Sequence, residues 1–231
     1  MNKGFTIAID GPVAAGKGTV ATRLARELKG FYLYTGSMYR CVALFCLREG
    51  VDITNPAEVA NVLQKLTIAF HANRVLLNGE DVTDRIIQED AANGASVVAV
   101  FPHIRENLVS RQQYIAKEHV AKGQIVVSEG RDTGTKVFPD AALKIYLTAA
   151  PEIRAKRRQK QFEEKGRATN FEEILAEVKE RDTRDKGRET DPLPSHPEKL
   201  GYVIIDDSQM TEQETLSEIK KALQERNLFN D

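Results

Sequence analysis

The stretch Gly11-Pro-Val-Ala-Ala-Gly-Lys-Gly-Thr19 decides the fold, together with the run Phe5-Thr-Ile-Ala-Ile-Asp10 that precedes it. The first run predicts a buried strand, and the second reads G-x-x-x-x-G-K, the spacing of a P-loop. In such a loop, backbone N–H groups surround a polyphosphate, and glycine permits the backbone angles that this requires. Lys17 supplies a mobile positive charge, and the N-terminus of the following helix adds its dipole.

The residue after the lysine departs from the commonest P-loop pattern. Gly18 stands where Ser or Thr usually follows, and Thr19 comes one position later. The variant G-K-G-T is typical of kinases that act on small nucleotides, and it makes Thr19 the natural hydroxyl on the metal side. The predicted ATP-binding residues of the loop are Gly11, Pro12, Val13, Ala14, Ala15, Gly16, Lys17, Gly18 and Thr19.

Length and composition limit the classes of protein. The 231 residues suit one medium-sized α/β domain with an insertion, and a net charge of −1 gives no case for nucleic-acid binding. No apolar run approaches the roughly 20 residues of a membrane span, and the N-terminus leads into a strand without room for a signal peptide. Cys41 and Cys46 lie five positions apart on a predicted helix, which indicates reduced core thiols in a cytoplasmic protein. No apolar stripe demands a partner, so we expect a monomer.

Strand and helix patterns alternate along most of the chain. Near-continuous apolar runs, typical of strands buried on both faces, predict further strands at 31–34, 125–127, 143–147 and 202–205. Helices are predicted after the P-loop, through Met38 and Val42, after Asn55, after Pro102, at 151–164, at 171–187 and after Thr211. The predicted fold is a doubly wound, three-layer α/β/α P-loop domain with a central parallel sheet of five strands.

One segment interrupts this alternation. Two short strand-like runs at 66–70 and 75–77, joined by a polar link and followed by the turn signal Asn78-Gly79, predict a small antiparallel insertion. We therefore expect a single domain over 1–231. Its core comprises about 1–36, 97–150 and 188–231, its inserted monophosphate-binding region about 37–96, and its lid about 151–170.

Arginines mark three further places. Thr35-Gly-Ser-Met-Tyr-Arg40 and Ser128-Glu-Gly-Arg-Asp-Thr-Gly-Thr135 each follow a predicted strand, at the edge where doubly wound sheets bind ligands. The third place comprises two helical arrays, the first of Arg154, Arg157 and Arg158 and the second of Arg181, Arg184 and Arg188. A solvated face is the favoured interpretation of Arg154 and Lys156 in the first array. In the second, Asp185 can pair with Arg181, and a surface salt-bridge ladder is an equal alternative.

The motifs occur in order over nearly the whole chain: G-K-G-T, Thr35-Gly-Ser-Met-Tyr-Arg40, Asn93-Gly-Ala-Ser96, Arg105, Glu129-Gly-Arg-Asp-x-Gly-Thr-x-Val-Phe-Pro-Asp140 and Glu180-Arg-Asp-x-Arg-Asp-x-x-Arg188. In this combination the chain resembles the bacterial cytidylate kinases, nucleoside monophosphate kinases of the P-loop class. The resemblance implies transfer of a phosphoryl group from ATP to CMP or dCMP, giving CDP or dCDP and ADP. It also implies Mg²⁺ (magnesium) as the cofactor and small-molecule substrates as the partners, with neither nucleic acid nor membrane.

The resemblance also implies roles for single residues. Cytosine would lie against Ser96, Arg105, Asp132 and Arg188, and a carboxylate such as Asp132 suits its exocyclic amine. For the rest of the acceptor, the resemblance implies phosphate binding by Arg40 and Arg131, substrate binding by Thr35 and sugar contacts from Arg181 and Asp185. For ATP, it implies contacts from the lid residues Arg157 and Arg158. Catalysis would involve Lys17 and Arg131, and the metal would be bound by Thr19 and, through water, by Glu129.

One departure from the family pattern is clear. The family usually has Asp immediately before the Thr-Gly pair, where this chain has Tyr34, and a phenol cannot replace a carboxylate as anion or metal ligand.

Two alternative functions stay open. A P-loop kinase could use UMP, AMP or shikimate as the acceptor, and a nucleotide-binding switch could respond to ATP without phosphorylating a substrate. The chain has no guanine-reading N-K-x-D motif.

Overall fold

The computed structural model describes residues 4–71, 74–164 and 166–229. Contacts within the chain divide it into two compact units, one formed by 1–33 with 116–231 and the other by 34–115. Among the described residues, no helix combines the length and apolar character needed to cross a lipid bilayer.

A five-stranded sheet forms the centre of the first unit. Its strands are β1 (Thr6–Asp10), β2 (Phe31–Tyr34, whose last residue begins the second unit), β6 (Val126–Gly130), β7 (Leu143–Thr148) and β8 (Val203–Asp206). Their order is β2-β6-β1-β7-β8, and β1 runs parallel to both of its neighbours. The helices of this unit are α1 (Lys17–Glu27), α6 (Pro151–Glu163), α7 (Phe171–Gly187) and α8 (Glu212–Glu225). The predicted α/β P-loop architecture with a central parallel sheet is confirmed.

Apolar spacing explains how the helices pack on this sheet. Val20, Leu24 and Leu28 form an apolar stripe on α1 that is buried, and it joins the core that also contains Ile7 and Ile9 of β1. The helix α8 adds its own apolar stripe to the same core, and its N-terminus carries a capping box of Thr211 and Glu214. The strand β1, from which the P-loop departs, thus contributes Ile7 and Ile9 to a core of close-packed apolar side chains.

The second unit contains α2 (Thr35–Glu49), α3 (Pro56–Val62), α4 (Glu89–Val98) and most of α5 (Pro102–Ala121), with the short strands β3 (Ile68–His71), β4 (Arg74–Leu77) and β5 (Glu80–Asp81). The three strands form an antiparallel sheet in chain order, as expected for an insertion. The predicted turn at Asn78-Gly79 joins β4 to β5, and both of its residues have positive φ. Residues 72 and 73, in the predicted polar link, lie outside the described residues.

Two elements of this unit were not predicted. They are the short strand β5 and the helix α4, which holds the Asn93-Gly-Ala-Ser96 motif. At Gly94, a Cβ atom would lie 2.9 Å from Cβ of Ala43, so α4 and α2 approach more closely than any larger residue would permit. Burial against α2 therefore stabilises a segment whose Gly and Asn lower its helix propensity.

Both cysteines lie on α2 and are buried and unbonded, as predicted. Burial raises the pKa of Cys41 to about 12 and that of Cys46 to about 11. Since the thiolate is the reactive form, these are inert core thiols.

Candidate active site

The loop that follows β1 has the backbone of a P-loop. Gly11, Ala14 and Gly16 all have positive φ, at 154°, 58° and 78°. A Cβ atom on Gly11 would lie 1.9 Å from the carbonyl oxygen of Leu147 on β7, so only glycine fits at this position. Gly16 is the left-handed N-cap of α1, and the helix begins at Lys17. The loop therefore ends at a helix N-terminus, where backbone N–H groups lack intrahelical partners.

Lys17 lies within the loop rather than in solvent. Its side chain is buried, and Nζ donates a hydrogen bond of 2.7 Å to the carbonyl oxygen of Pro12. Burial, reinforced by the charge of Arg131, lowers the pKa of Lys17 to about 7, although Glu129 and Asp185 act in the opposite direction. These interactions show that the lysine shares one charged cluster with residues from β6 and α7.

The strand register explains why that cluster forms. β6 lies beside β1, with Glu129 opposite Ile9 and Gly130 opposite Asp10. The residues that follow β6 therefore emerge at the same sheet edge as the P-loop. Glu129 itself is buried, whereas Thr19 on α1 is exposed.

Arg131 is fixed by an ion pair with α7. Its Nε atom lies 2.5 Å from Oδ2 of Asp185, and its Nη1 donates to the carbonyl oxygen of Gly130 at 3.2 Å. Burial opposes ionisation of Asp185, but the positive charges of Arg131, Arg181 and Arg188 hold the pKa of this carboxyl below its usual range. Asp185 therefore stays ionised at neutral pH and orients the guanidinium beside it.

A second ion pair follows directly. Nη2 of Arg188 lies 3.2 Å from Oδ1 of Asp132, and both side chains are nearly buried. Arg188 also donates from Nε to the carbonyl oxygen of Asp191 at 2.6 Å. Five of the predicted substrate-binding residues thus come together where β6 and the end of α7 meet: Arg131, Asp132, Arg181, Asp185 and Arg188. The alternative interpretation of this array was a ladder of surface salt bridges. One such exposed pair, between Arg184 and Glu180, is present.

The basic residues of α6 differ from each other in a way that the sequence did not indicate. The prediction of a solvated face is wrong for Arg154, which is 3 % exposed. It forms a bidentate pair with Asp182 on α7, and its Nη1 donates to the carbonyl oxygen of Val13 in the P-loop at 2.9 Å. Lys156 is exposed, as predicted. Arg154 therefore ties the P-loop to both α6 and α7.

The two predicted lid arginines have different partners. Arg157 donates to both carboxyl oxygens of Asp207, just beyond β8, and lies 3.9 Å from the position of a Cβ atom on Gly16. The Arg158 guanidinium lies 4.8 Å from the ring centroid of Phe162 on the same helix. The structure therefore brings Arg157 to the P-loop and places Arg158 against an aromatic ring.

The other predicted acceptor residues belong to the second unit. Arg40 on α2 donates to the carbonyl oxygen of Ile86 at 2.9 Å, and its guanidinium lies 5.7 Å from the ring centroid of Tyr34, the residue that departs from the family pattern. Arg105 on α5 is almost fully buried, donates to the carbonyl oxygen of Ala99 at 3.2 Å and lies over the ring of Tyr39. The remaining two predicted residues of this unit are Thr35, buried at the start of α2, and Ser96, half-buried on α4.

Asp10 is a charged residue at the site that sequence reasoning missed. Asp10 ends β1 and is completely buried, with both carboxyl oxygens accepting hydrogen bonds from residues far along the chain. The sequence feature that could have identified it is an ionisable residue at the buried end of an apolar strand, immediately before a P-loop.

Among the residues that the structure describes, the histidines show no arrangement typical of metal ligands. His119 stacks on the ring of Phe31, and His71 and His196 are exposed. Within 4–71, 74–164 and 166–229, no group of three or more His, Cys, Asp or Glu side chains is placed to hold a metal ion.

The parallel sheet, the glycine-rich loop beyond β1 and the buried lysine at the start of α1 define an α/β P-loop protein. A family model of cytidylate kinase matches residues 7–225. Curated cytidylate kinases from Caldanaerobacter subterraneus and Neisseria gonorrhoeae are 42% and 44% identical to this chain, covering 96% and 95% of it and 96% and 97% of their own lengths. The chain belongs to the cytidylate kinase family.

Solved structures agree with this fold at much lower identity. A protein from Thermus thermophilus aligns over 99% of this chain and 100% of its own with a TM-score of 0.51 and 15% identity. One from Eubacterium ventriosum aligns over 96% of this chain and 99% of its own, with a TM-score of 0.53 and 15% identity. At this identity the likeness shows the fold alone.

Proposed function

We propose that this protein transfers the γ-phosphoryl group of ATP to CMP or dCMP, giving ADP and CDP or dCDP, as a step of pyrimidine nucleotide metabolism. The observation that carries the proposal is the cluster in which buried Lys17 of the P-loop shares its surroundings with Arg131, Glu129 and Asp185. Phosphoryl transfer needs cations around phosphate oxygens and exclusion of water more than covalent help from the protein. Membership of the cytidylate kinase family supports the choice of reaction.

The donor phosphates would bind to the amides of the P-loop. The hydrogen bond of Lys17 to Pro12 holds its ammonium group in the loop, from where it can exchange a carbonyl oxygen for a phosphate oxygen. Arg157 lies close to Gly16 and offers a second positive charge on the donor side. Because Arg154 and Arg157 are tied to the P-loop and to Asp207, we place any closing movement of the lid beyond them, in the last turns of α6 and the segment that follows.

The acceptor would be recognised through charge and through the base. Arg131, oriented by Asp185, suits a two-point grip on phosphate oxygens. Asp132 offers a carboxylate oxygen to the exocyclic amine of cytosine. In the second unit we assign phosphate binding to Arg40 and base binding to Arg105 and Ser96. The acceptor phosphate is already an anion near neutral pH, so no residue need act as a general base.

The donor set also fits Mg²⁺. The hydroxyl of Thr19 and the carboxylate of Glu129 are oxygen donors, and magnesium in such sites uses one or two protein groups together with water and substrate phosphates. When bound, the ion neutralises charge on the donor phosphates. Arg131 and Lys17 would stabilise the charge that spreads over the transferred group.

A panel of acceptors tests this function directly. With ATP and magnesium, we expect ADP formation to depend on CMP or dCMP, with UMP, AMP and shikimate much poorer acceptors. Preferred use of another acceptor would select the other P-loop kinases instead. ATP binding without turnover of any acceptor would favour a nucleotide-binding switch.

The low pKa of Lys17 predicts proton uptake when ATP binds. With a pKa of about 7 in the free protein, the amine is mostly neutral at pH 8, and bound phosphates favour its charged form. Binding of MgATP at pH 8 should therefore take up most of one proton, and at pH 6 much less. Calorimetric titrations in two buffers of different ionisation enthalpy measure this number.

The control for that titration is Lys17→Met, which should abolish the uptake at ATP concentrations that saturate the variant. Equal binding enthalpies in both buffers at pH 8 for the wild-type protein would show that Lys17 is already charged before ATP arrives.

A further inference from the structure

The carboxylate of Asp10 holds together two loops that the proposed reaction needs. Its Oδ1 accepts the backbone N–H of Thr133 at 2.8 Å. Its Oδ2 accepts the backbone N–H of Gly134 at 2.7 Å and the hydroxyl of Tyr202 at 2.7 Å. Asp10 is completely buried, so these three donors replace water entirely.

The two amides belong to a single wide helical turn, Thr133–Val137, which directly follows Arg131 and Asp132. The carbonyl oxygen of Asp132 accepts the N–H of Lys136 at 2.8 Å, so the turn and the residues before it form one rigid piece. Fixing the first amides of this turn therefore fixes the backbone from which Arg131 and Asp132 project.

The position of Gly134 shows how closely the network is built. A Cβ atom there would lie 2.7 Å from the hydroxyl oxygen of Tyr202 and 3.2 Å from Cδ of Lys144. Glycine is thus required for the N–H of residue 134 to reach the carboxylate while Tyr202 reaches it from the other side. Tyr202 is itself buried, and its ring forms a T-shaped pair with the ring of Tyr146 on β7.

This geometry excludes direct chemistry for Asp10. Both oxygens are occupied by donors, and the side chain has no access to solvent, so it is neither a metal ligand nor a base. Burial raises its pKa, while the three hydrogen bonds favour the anion, which accepts at both oxygens. An ionised carboxylate is the form that this set of donors matches.

We propose that Asp10 is a positioning residue that sets the distance between the P-loop and the Arg131-Asp132 segment. Its main chain leads directly into Gly11, and its side chain holds the turn after Asp132. One residue thereby aligns the donor loop with a phosphate-binding and base-reading segment. The inference rests on the proposed function of Arg131 and Asp132, because in-line transfer is sensitive to the relative placement of donor and acceptor.

Asp10→Asn is the sharpest test. Asparagine keeps the shape of the side chain, but its amide group would face one of the N–H donors, so the turn after Asp132 loses an anchor. We expect kcat with CMP to fall by about 10²-fold, since displacement of a reacting group by about 1 Å has that effect. The KM values for ATP and CMP should stay within about threefold of wild type, because each loop by itself remains intact.

Two further variants complete the experiment. Tyr202→Phe removes one donor and leaves both amides in place, so kcat should fall by a smaller factor, roughly three- to tenfold. Thr215→Val removes a buried hydroxyl on α8, far from both loops in the chain, and should leave kcat within about twofold although it lowers the thermal midpoint. The titration stoichiometry for ATP gives the active fraction of each protein.

A purely structural role would reduce that active fraction and leave kcat per active site unchanged, which would overturn the inference. So would a folded Asp10→Asn protein with wild-type kcat. If Asp10→Asn does not fold, Tyr202→Phe decides by the same criteria. Failure of the wild-type protein to phosphorylate CMP would instead count against the proposed function.

Discussion

Lys17→Met should lower kcat for phosphoryl transfer from ATP by about 10²- to 10³-fold, the loss typical of removing one preorganised charge at a reacting centre. Methionine keeps an unbranched side chain in the buried space, so the fold should be retained. In the structure Lys17 lies inside the loop, bonded to Pro12 and close to Arg131. Steady-state kinetics with CMP as acceptor, at saturating ATP, measure the effect.

A matched control is Lys221→Met on α8, which removes the same charge at an exposed position outside the cluster. It should leave kcat unchanged. Near-normal turnover of Lys17→Met would remove the P-loop lysine from the mechanism. If Lys17→Met loses its circular dichroism signal and Lys221→Met does not, the role of Lys17 is structural.

Asp132→Asn should lower kcat/KM for CMP by about 10- to 200-fold, which corresponds to ~1–3 kcal/mol of base discrimination. The KM for ATP should change little. Arg188 donates to one oxygen of Asp132, so an asparagine would offer its own oxygen to Arg188 and present its NH₂ group to the base. Two donors would then face each other at the exocyclic amine of cytosine.

The same argument predicts a change in preference. Uracil has an acceptor where cytosine has its amine, so the ratio of kcat/KM for CMP over UMP should fall in Asp132→Asn. Asp140→Asn, an exposed carboxylate beyond the same turn, is the control and should leave the ratio unchanged. Equal losses with ATP and CMP, or an unaltered ratio, would argue against base recognition by Asp132.

Local patterns predicted most of the architecture. The apolar runs that became β1, β6, β7 and β8 could be predicted because strands buried on both faces need apolar side chains throughout. Helix ends followed from short-range chemistry, as at Asn55, whose side chain accepts hydrogen bonds from the first N–H groups of α3. The helix α4 was missed because its stability depends on the close packing of Gly94 against Ala43, which no local pattern reveals.

The same division applies to the candidate site. The P-loop and the Arg131-Asp132 motif could be recognised from spacing, since each is a continuous stretch of chain. The partners that orient them could not. Arg154 was interpreted as a solvated side chain, yet it reaches Val13, 141 positions away in the chain. A basic residue on a charged helix gives no local sign of which carbonyl it will meet.

The sequence by itself determined that a glycine-rich, lysine-bearing loop joins a buried strand to a helix, because backbone freedom and charge are properties of the residues present. Only the tertiary structure decided which charges become partners. Asp185 meets Arg131, Arg188 meets Asp132, and Asp10 meets the turn 123 positions further along. Such pairs form because β6 and β1 lie side by side, and a buried carboxylate takes the donors that strand order brings within reach.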